Sequence, residues 1–305
     1  MARERWERVV FVIWFLLLSL ALGTTQVFTQ AADDVLVNVV DFHCHSGPDS
    51  RPRSVSDIEL ARLARRARMR GLVFKNHYTM TADRASLAME VVDGIEIFGG
   101  IVLNLAVGGL NVEAVQQMTR FSGGRGRVVW LPTFDAEYEV TRTNANRGYV
   151  SVVKNGELVP ELHDIFQIIG ENDLVLATGH SSPEEVLLIL PEAQRKGVSK
   201  LVVTHVLAQE PTEAQMALMA SYGAIMELDW NGIQTGRFTV SDYVNVIKTV
   251  GVRNILISSD MGQYLNPLHT DALETFIRML RENGISDQGI DVMARMNPAA
   301  LLGLE

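Results

Sequence analysis

The chain has 305 residues, of which 47% are hydrophobic and 21% are charged, a balance that predicts a globular protein and excludes a disordered chain or a polytopic membrane protein. Asp and Glu outnumber Lys and Arg by 36 to 27, an acidic excess that disfavours nucleic acid as a partner. The single cysteine, Cys44, excludes an intrachain disulfide and a cysteine-based zinc finger, so a bound metal would rest on His, Asp, Glu or Lys.

The N-terminal segment has the pattern of a leader. Residues 1–8 carry several charges, residues 9–22 are apolar except for Ser19, and small and polar residues follow. This pattern predicts a signal peptide over residues 1–31. The apolar core of about 14 residues is shorter than the roughly 20 of a spanning helix, but its extension through Phe28 keeps an uncleaved membrane anchor open. We expect an exported protein, periplasmic or secreted, or one that touches the membrane through this segment alone; an intracellular chain with a misread start codon is the third alternative.

From Val35 onward, short runs rich in Val, Ile and Leu alternate with longer segments of helical periodicity. This alternation is typical of βα units around a parallel sheet. There are eight such runs, which are Leu36–His45, Gly71–His77, Ile95–Asn104, Arg127–Asp135, Asp173–His180, Lys200–Val206, Ala224–Asp229 and Asn254–Met261. Eight strands in about 270 residues match an α/β fold of the (β/α)8 TIM barrel type, whereas a doubly wound sheet usually stops earlier. We therefore predict one barrel over residues 32–305.

Local signals support the helices between these strands. Ser56 with Glu59 and Ser182 with Glu185 form the spacing of a capping box, in which two orphan backbone donors at a helix start are satisfied reciprocally. The pair Asn155–Gly156 predicts a hairpin in the loop after the fourth strand. Because barrel active sites lie on that face, the hairpin is interpreted either as a partial lid or as a surface excursion.

Five metal-binding side chains stand at the ends of four predicted strands. Two histidines on the first strand are two residues apart and share a face with Asp41, which a barrel turns inward. A core that buried these groups without compensation would lose several kcal/mol in desolvation. We therefore predict a divalent metal centre made by His43, His45, His180, His205 and Asp260.

The segment Asp41–His45, followed at later strand ends by His180, His205 and Asp260, resembles the metal-dependent amidohydrolase superfamily. The resemblance covers roughly residues 36–305, and its last part, Asn297–Leu304, is similar to the closing helix of many members. Two further segments, His43–Asp49 and Leu72–His77, look like an amidohydrolase-like branch whose substrates are not established. The resemblance implies a (β/α)8 fold, one or two divalent cations, usually zinc, and hydrolysis of an amide, ester or lactone bond in a small molecule, with anionic molecules among the candidates.

The resemblance also implies roles for individual residues. His43 and His45 would bind the more buried metal, while His180 and His205 would bind or border a second one. Asp260 would contact the metal and accept a proton from the water that the cation activates. Asp260, His205 and Lys75 are therefore the predicted catalytic residues.

Lys75 departs from the superfamily pattern. Binuclear members often carry a carboxylated lysine on the fourth strand, but here that strand ends Leu131–Asp135, and the strand-end lysine is on the second strand. Three roles stay open for Lys75: a carboxylated bridging ligand, a binding group for a substrate anion, and an ion pair with Asp41. Asp135 is the other candidate for a bridging ligand.

Five side chains are candidates for substrate contacts. A guanidinium in the loop after the first strand can bind a carboxylate bidentately, although a solvated loop charge explains it equally well. A glutamate on the seventh strand shares a face with Asp229, and pairing with a helix is its alternative role. The candidates are Arg51, Arg53, His77, Asp135 and Glu227.

Three other functions stay open at the level of the sequence. A decarboxylase on the same barrel would use one metal and no hydrolytic water. A phosphoesterase also begins with His-x-His but requires further metal ligands, and a non-catalytic binding barrel would keep the metal for structure. The expected partner is a small-molecule substrate, and a homo-oligomer is compatible with the sequence.

Overall fold

The computed structural model describes residues 35–304. The predicted signal peptide or anchor, residues 1–31, lies outside the described residues, and so does the start of the predicted barrel domain up to residue 34. Within the described part of the chain, no helix combines the length and the apolar character that a bilayer span requires.

Eight parallel strands form the centre of the structure, and a separate antiparallel pair forms a hairpin. The ten strands are β1 (Val40–Cys44), β2 (Gly71–Phe74), β3 (Glu96–Val102), β4 (Gly126–Trp130), β5 (Val153–Lys154), β6 (Glu157–Leu158), β7 (Val175–Ala177), β8 (Lys200–Val203), β9 (Ile225–Asp229) and β10 (Ile255–Ser258). The parallel sheet runs β1-β2-β3-β4-β7-β8-β9-β10. It closes where Asp260 N donates to His43 O at 2.9 Å and His45 N donates to Met261 O at 2.8 Å. The predicted (β/α)8 barrel is confirmed.

Helices connect the strands on the outside of the barrel. They are α1 (Asp57–Arg66), α2 (Ala82–Val91), α3 (Val112–Arg120), α4 (Glu137–Arg142), α5 (Pro160–Glu171), α6 (Pro183–Arg195), α7 (Glu213–Ser221), α8 (Trp230–Gln234), α9 (Val240–Val250), α10 (His269–Glu282), α11 (Asp287–Asp291) and α12 (Asn297–Leu302). Both predicted capping boxes are formed, with Ser56 starting α1 and Ser182 starting α6. The local signals therefore fix where these two helices begin.

An apolar cluster fills the barrel and closes its N-terminal end. Val40, Val73 and Trp130 belong to this cluster, and Leu302 from α12 packs against them. Asn297, the first residue of α12, donates through Nδ2 to the carbonyl of Ile255 at 2.6 Å, where β10 begins. Apolar residues occupy this end of the barrel. The buried polar groups described below lie at the C-terminal end, where barrel active sites are found.

Each predicted run contains a strand, but three strands end before the predicted metal ligand. His180, His205 and Asp260 lie two or three residues beyond β7, β8 and β10, in the loops that follow. His205 and Asp260 have φ values of 47° and 48°. This left-handed conformation is unfavourable for residues with a Cβ atom, and such residues concentrate at functional sites. The chain turns sharply at His205 and Asp260, so these strands end earlier than the runs of apolar residues predicted.

The predicted alternation of the first strand is wrong between Asp41 and His43. The register of β1 against β2 shifts between Asp41 and Cys44, which is a β-bulge with one extra residue. Phe42 consequently packs into the interior cluster, and the His43 ring lies 6.4 Å from the ring of Trp130 in the same cluster. The carboxylate of Asp41 accepts hydrogen bonds from the backbone amides of His43 and Ser259 instead of joining the histidines.

Candidate metal centre

Four of the five predicted metal ligands meet at the C-terminal end of the barrel. His43 Nε2 and His45 Nε2 are 3.3 Å apart. Asp260 Oδ1 lies 3.2 Å from His43 Nε2 and 3.0 Å from His45 Nε2. His205 completes the group, because its Nε2 is 3.9 Å from Asp260 Oδ2, and one donor atom each from His43, His205 and Asp260 lie within 4.8 Å of one another.

The three imidazoles of this group are oriented in the same way. Each ring directs Nδ1 at an oxygen atom 2.9 Å away, and these oxygens are Glu227 Oε1 for His43, the Lys75 carbonyl for His45 and Asp229 Oδ2 for His205. A carbonyl oxygen and an ionised carboxylate only accept, so Nδ1 carries the proton in the neutral ring and Nε2 offers its lone pair. Arg53 Nη2 also approaches His45 Nδ1, but at 3.5 Å it is too distant to compete with the carbonyl.

The donor atoms fit a divalent cation. With hydrogen on Nδ1, the Nε2 lone pairs of His43 and His45 lie 3.3 Å apart, and a cation beside them would remove their repulsion. Among His43, His45 and Asp260 the donor separations of 3.0 to 3.3 Å are close to the edge of about 3.3 Å expected in a tetrahedron with zinc–ligand bonds of roughly 2.0 Å, whereas His205 Nε2 lies 3.9 Å from Asp260 Oδ2. Imidazole nitrogens with a carboxylate oxygen are a common ligand set for zinc.

The centre carries more buried carboxylates than fixed cations. Burial would raise the pKa of Glu227, but His43, His205 and Lys75 lower it to about 2. Burial would lower the pKa of His205, but Asp229, Asp260 and Glu227 raise it to about 9. Without a metal, His205 therefore takes up a proton at neutral pH, which means that the site attracts positive charge.

A cavity of about 750 Å³ opens above this centre. His45, His205 and Asp260 form its base together with Asp229, and aromatic and arginine side chains form much of its wall. Four other predicted site residues line it, namely Arg51, Arg53, His77 and His180. The metal donors and the candidate substrate contacts thus share one cavity.

His180 lies on the cavity wall, apart from the compact group of donors. Its ring centroid is 5.7 Å from that of His205, and its Nδ1 is 3.7 Å from Glu139 Oε2 on α4, too far for a hydrogen bond. Nδ1 has no hydrogen-bond partner among residues 35–304. Burial lowers the pKa of His180 to about 4, with Glu139 opposing the shift. The ring is therefore neutral and has a free nitrogen.

Two predicted substrate contacts do not line the cavity. Glu227 is only 1% exposed, and its Oε1 accepts hydrogen bonds from His43 and Ser258, so it lies behind the His43 ring. Asp135 Oδ2 accepts a hydrogen bond from Leu105 N at 3.0 Å and joins two loops. The substrate roles of both residues and the bridging role of Asp135 stay predictions. Residues two apart along a strand share a face, but this spacing does not show how far along the strand the cavity begins.

Lys75 is buried below the cavity. It is 2% exposed, and its Nζ lies 5.4 Å from the ring centroid of Trp130 without a hydrogen-bond partner in the described part of the chain. Burial lowers the pKa of Lys75 to about 8, although nearby carboxylates oppose the shift. The ion pair with Asp41 is not formed among the described residues, whereas the role in binding a substrate anion stays a prediction, although Lys75 does not line the cavity. Carboxylation stays a prediction.

Sequence reasoning missed three residues around the candidate centre and its cavity. Asn231 Nδ2 donates to Asp260 Oδ2 at 2.9 Å, and the ring of His269 contacts the carbonyl of His45 through Nε2 at 2.9 Å. Glu139 contributes to the cavity wall from α4. The predicted hairpin is present as β5 and β6, but its residues do not line the cavity. No apolar periodicity marks these three positions, because each lies in a loop or near the start of a helix. Asp229 is a different case, because it shares a strand face with Glu227 and therefore had a signal in the sequence.

Several solved structures are similar to this chain. A variant of an organophosphorus hydrolase from Deinococcus radiodurans has a TM-score of 0.59 and 14% identity, covering 88% of this chain and 94% of that one. An amidohydrolase from Pseudomonas aeruginosa has a TM-score of 0.56 and 11% identity, with 88% and 96% covered. A 2,6-dihydroxybenzoate decarboxylase from Rhizobium has a TM-score of 0.57 and 11% identity, with 88% and 99% covered. At these identities the likeness shows a shared (β/α)8 fold.

No curated protein matches the sequence. Residues 38–227 match a family of unknown function. The matched range contains His43, His45, His180 and His205 and reaches Glu227, which binds His43. Since it spans more than half of the 305 residues, the chain belongs to this family of unknown function, DUF6282.

Proposed function

We propose that this protein is a metal-dependent hydrolase that cleaves an amide, ester or lactone bond in a small molecule. One observation carries the proposal: three imidazoles, each with Nδ1 bound to an oxygen, direct Nε2 to the region of Asp260. His45, His205 and Asp260 of this group line a cavity of about 750 Å³, large enough for a small substrate. Similarity in fold to hydrolases and a decarboxylase supports the same class of chemistry by analogy.

His43, His45, His205 and Asp260 would hold the cation, which we expect to be zinc. When bound, a divalent cation supplies a Lewis acid that activates water near neutral pH and polarises a scissile carbonyl. Glu227 and Asp229 keep the rings of His43 and His205 in the tautomer that offers Nε2. The Lys75 carbonyl does the same for His45.

Asp260 is the residue that we expect to accept a proton. Burial would raise its pKa, but His43, His45 and His205 hold the pKa well below its ordinary value, so the carboxylate is ionised. Asn231 binds Oδ2, which fixes the orientation of the carboxylate at the cavity base. A general base must lie within hydrogen-bond reach of the proton that it abstracts, and Asp260 lines the cavity.

His180 is the candidate to contact the substrate carbonyl or the leaving group. Its ring is neutral, has a free nitrogen and lines the cavity beside His205. A neutral imidazole on the cavity wall can donate one hydrogen bond to the oxygen that gains negative charge or accept one from the leaving group, according to its tautomer. We therefore assign His180 to substrate binding and charge stabilisation, with the metal held by the other four residues.

A metal-dependent decarboxylase is the second candidate. The group of His43, His205 and Asp260, with His45 beside Asp260, suits one cation, and decarboxylation on this barrel would need one cation without hydrolytic water. The two candidates differ in their products, because a decarboxylase releases carbon dioxide from a carboxylate substrate. Headspace analysis during turnover therefore separates them.

The proposal is tested by elemental analysis of the full chain, followed by a panel of lactones, esters and amides. We expect close to one zinc per chain, loss of the metal in His205→Gln, and hydrolysis of at least one compound class that stops after chelation and returns with added zinc. Wild-type protein that binds no divalent metal after exposure to zinc would overturn the proposal. Release of carbon dioxide without hydrolysis would replace it by the second candidate.

A further inference from the structure

The loop between β1 and α1 is held firmly against the loop that follows β10. Ser54 N donates to Gly262 O at 3.0 Å, and Arg53 forms a β-bridge with Gln263. Asp49 supports the loop from inside, because its Oδ2 accepts from the Arg53 guanidinium at 2.7 Å and its Oδ1 accepts from Arg51 N at 3.3 Å. The backbone of Arg51 is therefore fixed at the cavity wall.

The guanidinium of Arg51 rests on aromatic rings. Its central carbon lies 4.8 Å from the ring centroid of Phe134 and 5.6 Å from that of Tyr78. Cation–π contacts of this kind restrict a guanidinium without neutralising its charge or using its hydrogen-bond donors. The side chain is thus oriented at the cavity while its five donors stay available.

Arg51 differs from the other arginines of the cavity wall. Each of the others has a carboxylate partner, namely Asp49 for Arg53, Glu139 for Arg142 and Glu210 for Arg237. Within residues 35–304, no ion pair or hydrogen bond involves the Arg51 guanidinium. Of the two arginines that the sequence offered for binding a substrate anion, Arg53 is already occupied and Arg51 is available.

A row of rings connects Arg51 to the metal donors. Phe134, which underlies Arg51, lies 4.2 Å from the ring centroid of His77. His77 in turn stacks on His45, with the ring centroids 4.9 Å apart and an interplanar angle of 24°. A ligand that reaches from the centre to Arg51 would therefore lie along a wall of flat side chains, which suits a planar molecule.

We propose that Arg51 forms an anion-binding subsite and that the substrate is a planar molecule with a carboxylate at the end remote from the reacting bond. This inference rests on the proposed function for the location of the reacting bond. The guanidinium supplies a bidentate, charge-assisted contact for the carboxylate, and the rings of Phe134 and His77 contact the flat body between the two ends.

The experiment compares a monocarboxylate with dicarboxylates on the zinc-loaded full chain. Isothermal titration calorimetry measures the dissociation constants of benzoate, phthalate, isophthalate and terephthalate, in which the second carboxylate takes three different separations. We expect at least one dicarboxylate to bind about tenfold more tightly than benzoate, the size typical of a charge-assisted pair. In Arg51→Met this gain should fall to about twofold or less, and Arg51→Lys should retain part of it because the charge remains.

Arg237→Met is the matched control. Arg237 lines the same cavity but donates to Ala208 O at 2.7 Å and has Glu210 as a carboxylate partner, so its removal should leave the gain intact. The inference is overturned if no dicarboxylate exceeds benzoate in the wild type, if Arg51→Met keeps the gain, or if Arg237→Met loses it equally.

Failure of the proposed function has a different signature. If the histidines hold no catalytic metal, benzoate binds equally to zinc-treated and chelated protein. The ratio of the dissociation constant of benzoate to that of the dicarboxylate is then compared between wild type and Arg51→Met, with both proteins in the same metal state. A ratio that does not depend on Arg51 contradicts only the anion subsite, whatever the outcome for the metal.

Discussion

The two ends of the barrel differ in how many buried polar atoms of the described residues lack a hydrogen-bond partner, with Arg127 Nε an example at the N-terminal end. At the N-terminal end, Asn297 Nδ2 donates to the carbonyls of Val252, Arg253 and Ile255, and apolar residues such as Leu302 fill the space. At the C-terminal end, buried polar atoms lack hydrogen-bond partners among the described residues, including Lys75 Nζ, His180 Nδ1 and both amide atoms of Gln209. An unsatisfied buried group costs about 1–3 kcal/mol. One end therefore stabilises the fold, and the other keeps groups available for ligands.

The largest effect should follow from Asp260→Asn at the C-terminal end. Removing the proton acceptor should lower kcat by about 10²- to 10⁴-fold, while His43, His45 and His205 still hold zinc. Steady-state kinetics on a substrate found in the hydrolysis panel, together with elemental analysis, measure the two quantities. Near-normal turnover with retained zinc would contradict the role of Asp260.

Leu302→Ala should weaken the packing at the N-terminal end of the barrel without changing the candidate metal centre. Leu302 is 3% exposed and packs in the interior cluster, so truncation should lower the free energy of unfolding by about 2–5 kcal/mol. Urea unfolding measures the loss, and zinc affinity of the folded variant should stay unchanged. A loss of zinc affinity matching the loss of stability would show that the two ends are not separable.

The metal-free protein should lose stability as the pH rises from 6.5 to 9. The pKa of His205 is raised from 6.5 to about 9, so its contribution is fully present below pH 6.5 and disappears through pH 9. The loss is at most about 3 kcal/mol, and urea unfolding at several pH values measures it. In zinc-loaded protein this slope should vanish, because the ring stays unprotonated.

A His205→Gln variant isolates this contribution. Lys75, whose pKa is lowered to about 8, titrates in the opposite sense, since its unfolded state binds more protons above that pH and stability then rises. Lys75 is present in both proteins, so subtracting the pH dependence of the free energy of unfolding of the variant from that of wild type removes the effect of Lys75. An equal pH slope in both proteins would exclude His205 as its source.

The smallest effect should come from Glu227→Gln, behind the metal centre. Gln keeps an oxygen for His43 Nδ1 but removes the negative charge that makes the ring a better ligand, so zinc affinity should fall about 10- to 100-fold. Competition with a chromophoric chelator measures the dissociation constant. Asp229→Asn is the parallel change behind His205, and an unchanged affinity in both variants would show that these carboxylates do not support the ligands.

The positions at strand ends predicted which side chains would meet better than they predicted the strand boundaries. His43, His45, His205 and Asp260 come together, because residues at the C-terminal ends of parallel strands converge whatever the details of the loops. These positions could not give the left-handed turns at His205 and Asp260. A backbone conformation of this kind is imposed by neighbouring loops and leaves no periodic trace in the sequence.

The sequence-based predictions departed from the structure where each strand was considered by itself. Asp41 was assigned to the face of His43, but a bulge in β1 lies between them. Glu227 and Asp135 were candidates for substrate contacts, and both form hydrogen bonds with neighbouring groups outside the cavity lining. A bulge depends on the adjacent strand, and the edge of a cavity depends on every loop around it, so neither follows from one segment alone.

The sequence by itself determined the eight-stranded barrel and the three strand ends at which His43, His45, His205 and Asp260 meet, because apolar runs, helix periodicity and capping residues act over short distances. The tertiary structure decided which groups are used and which are free. Arg51 and Arg53 are two residues apart and chemically identical, yet of the two guanidinium groups only that of Arg53 contacts a carboxylate. The difference arises from where the folded chain brings Asp49 and Phe134, since the availability of a charge depends on its neighbours in space.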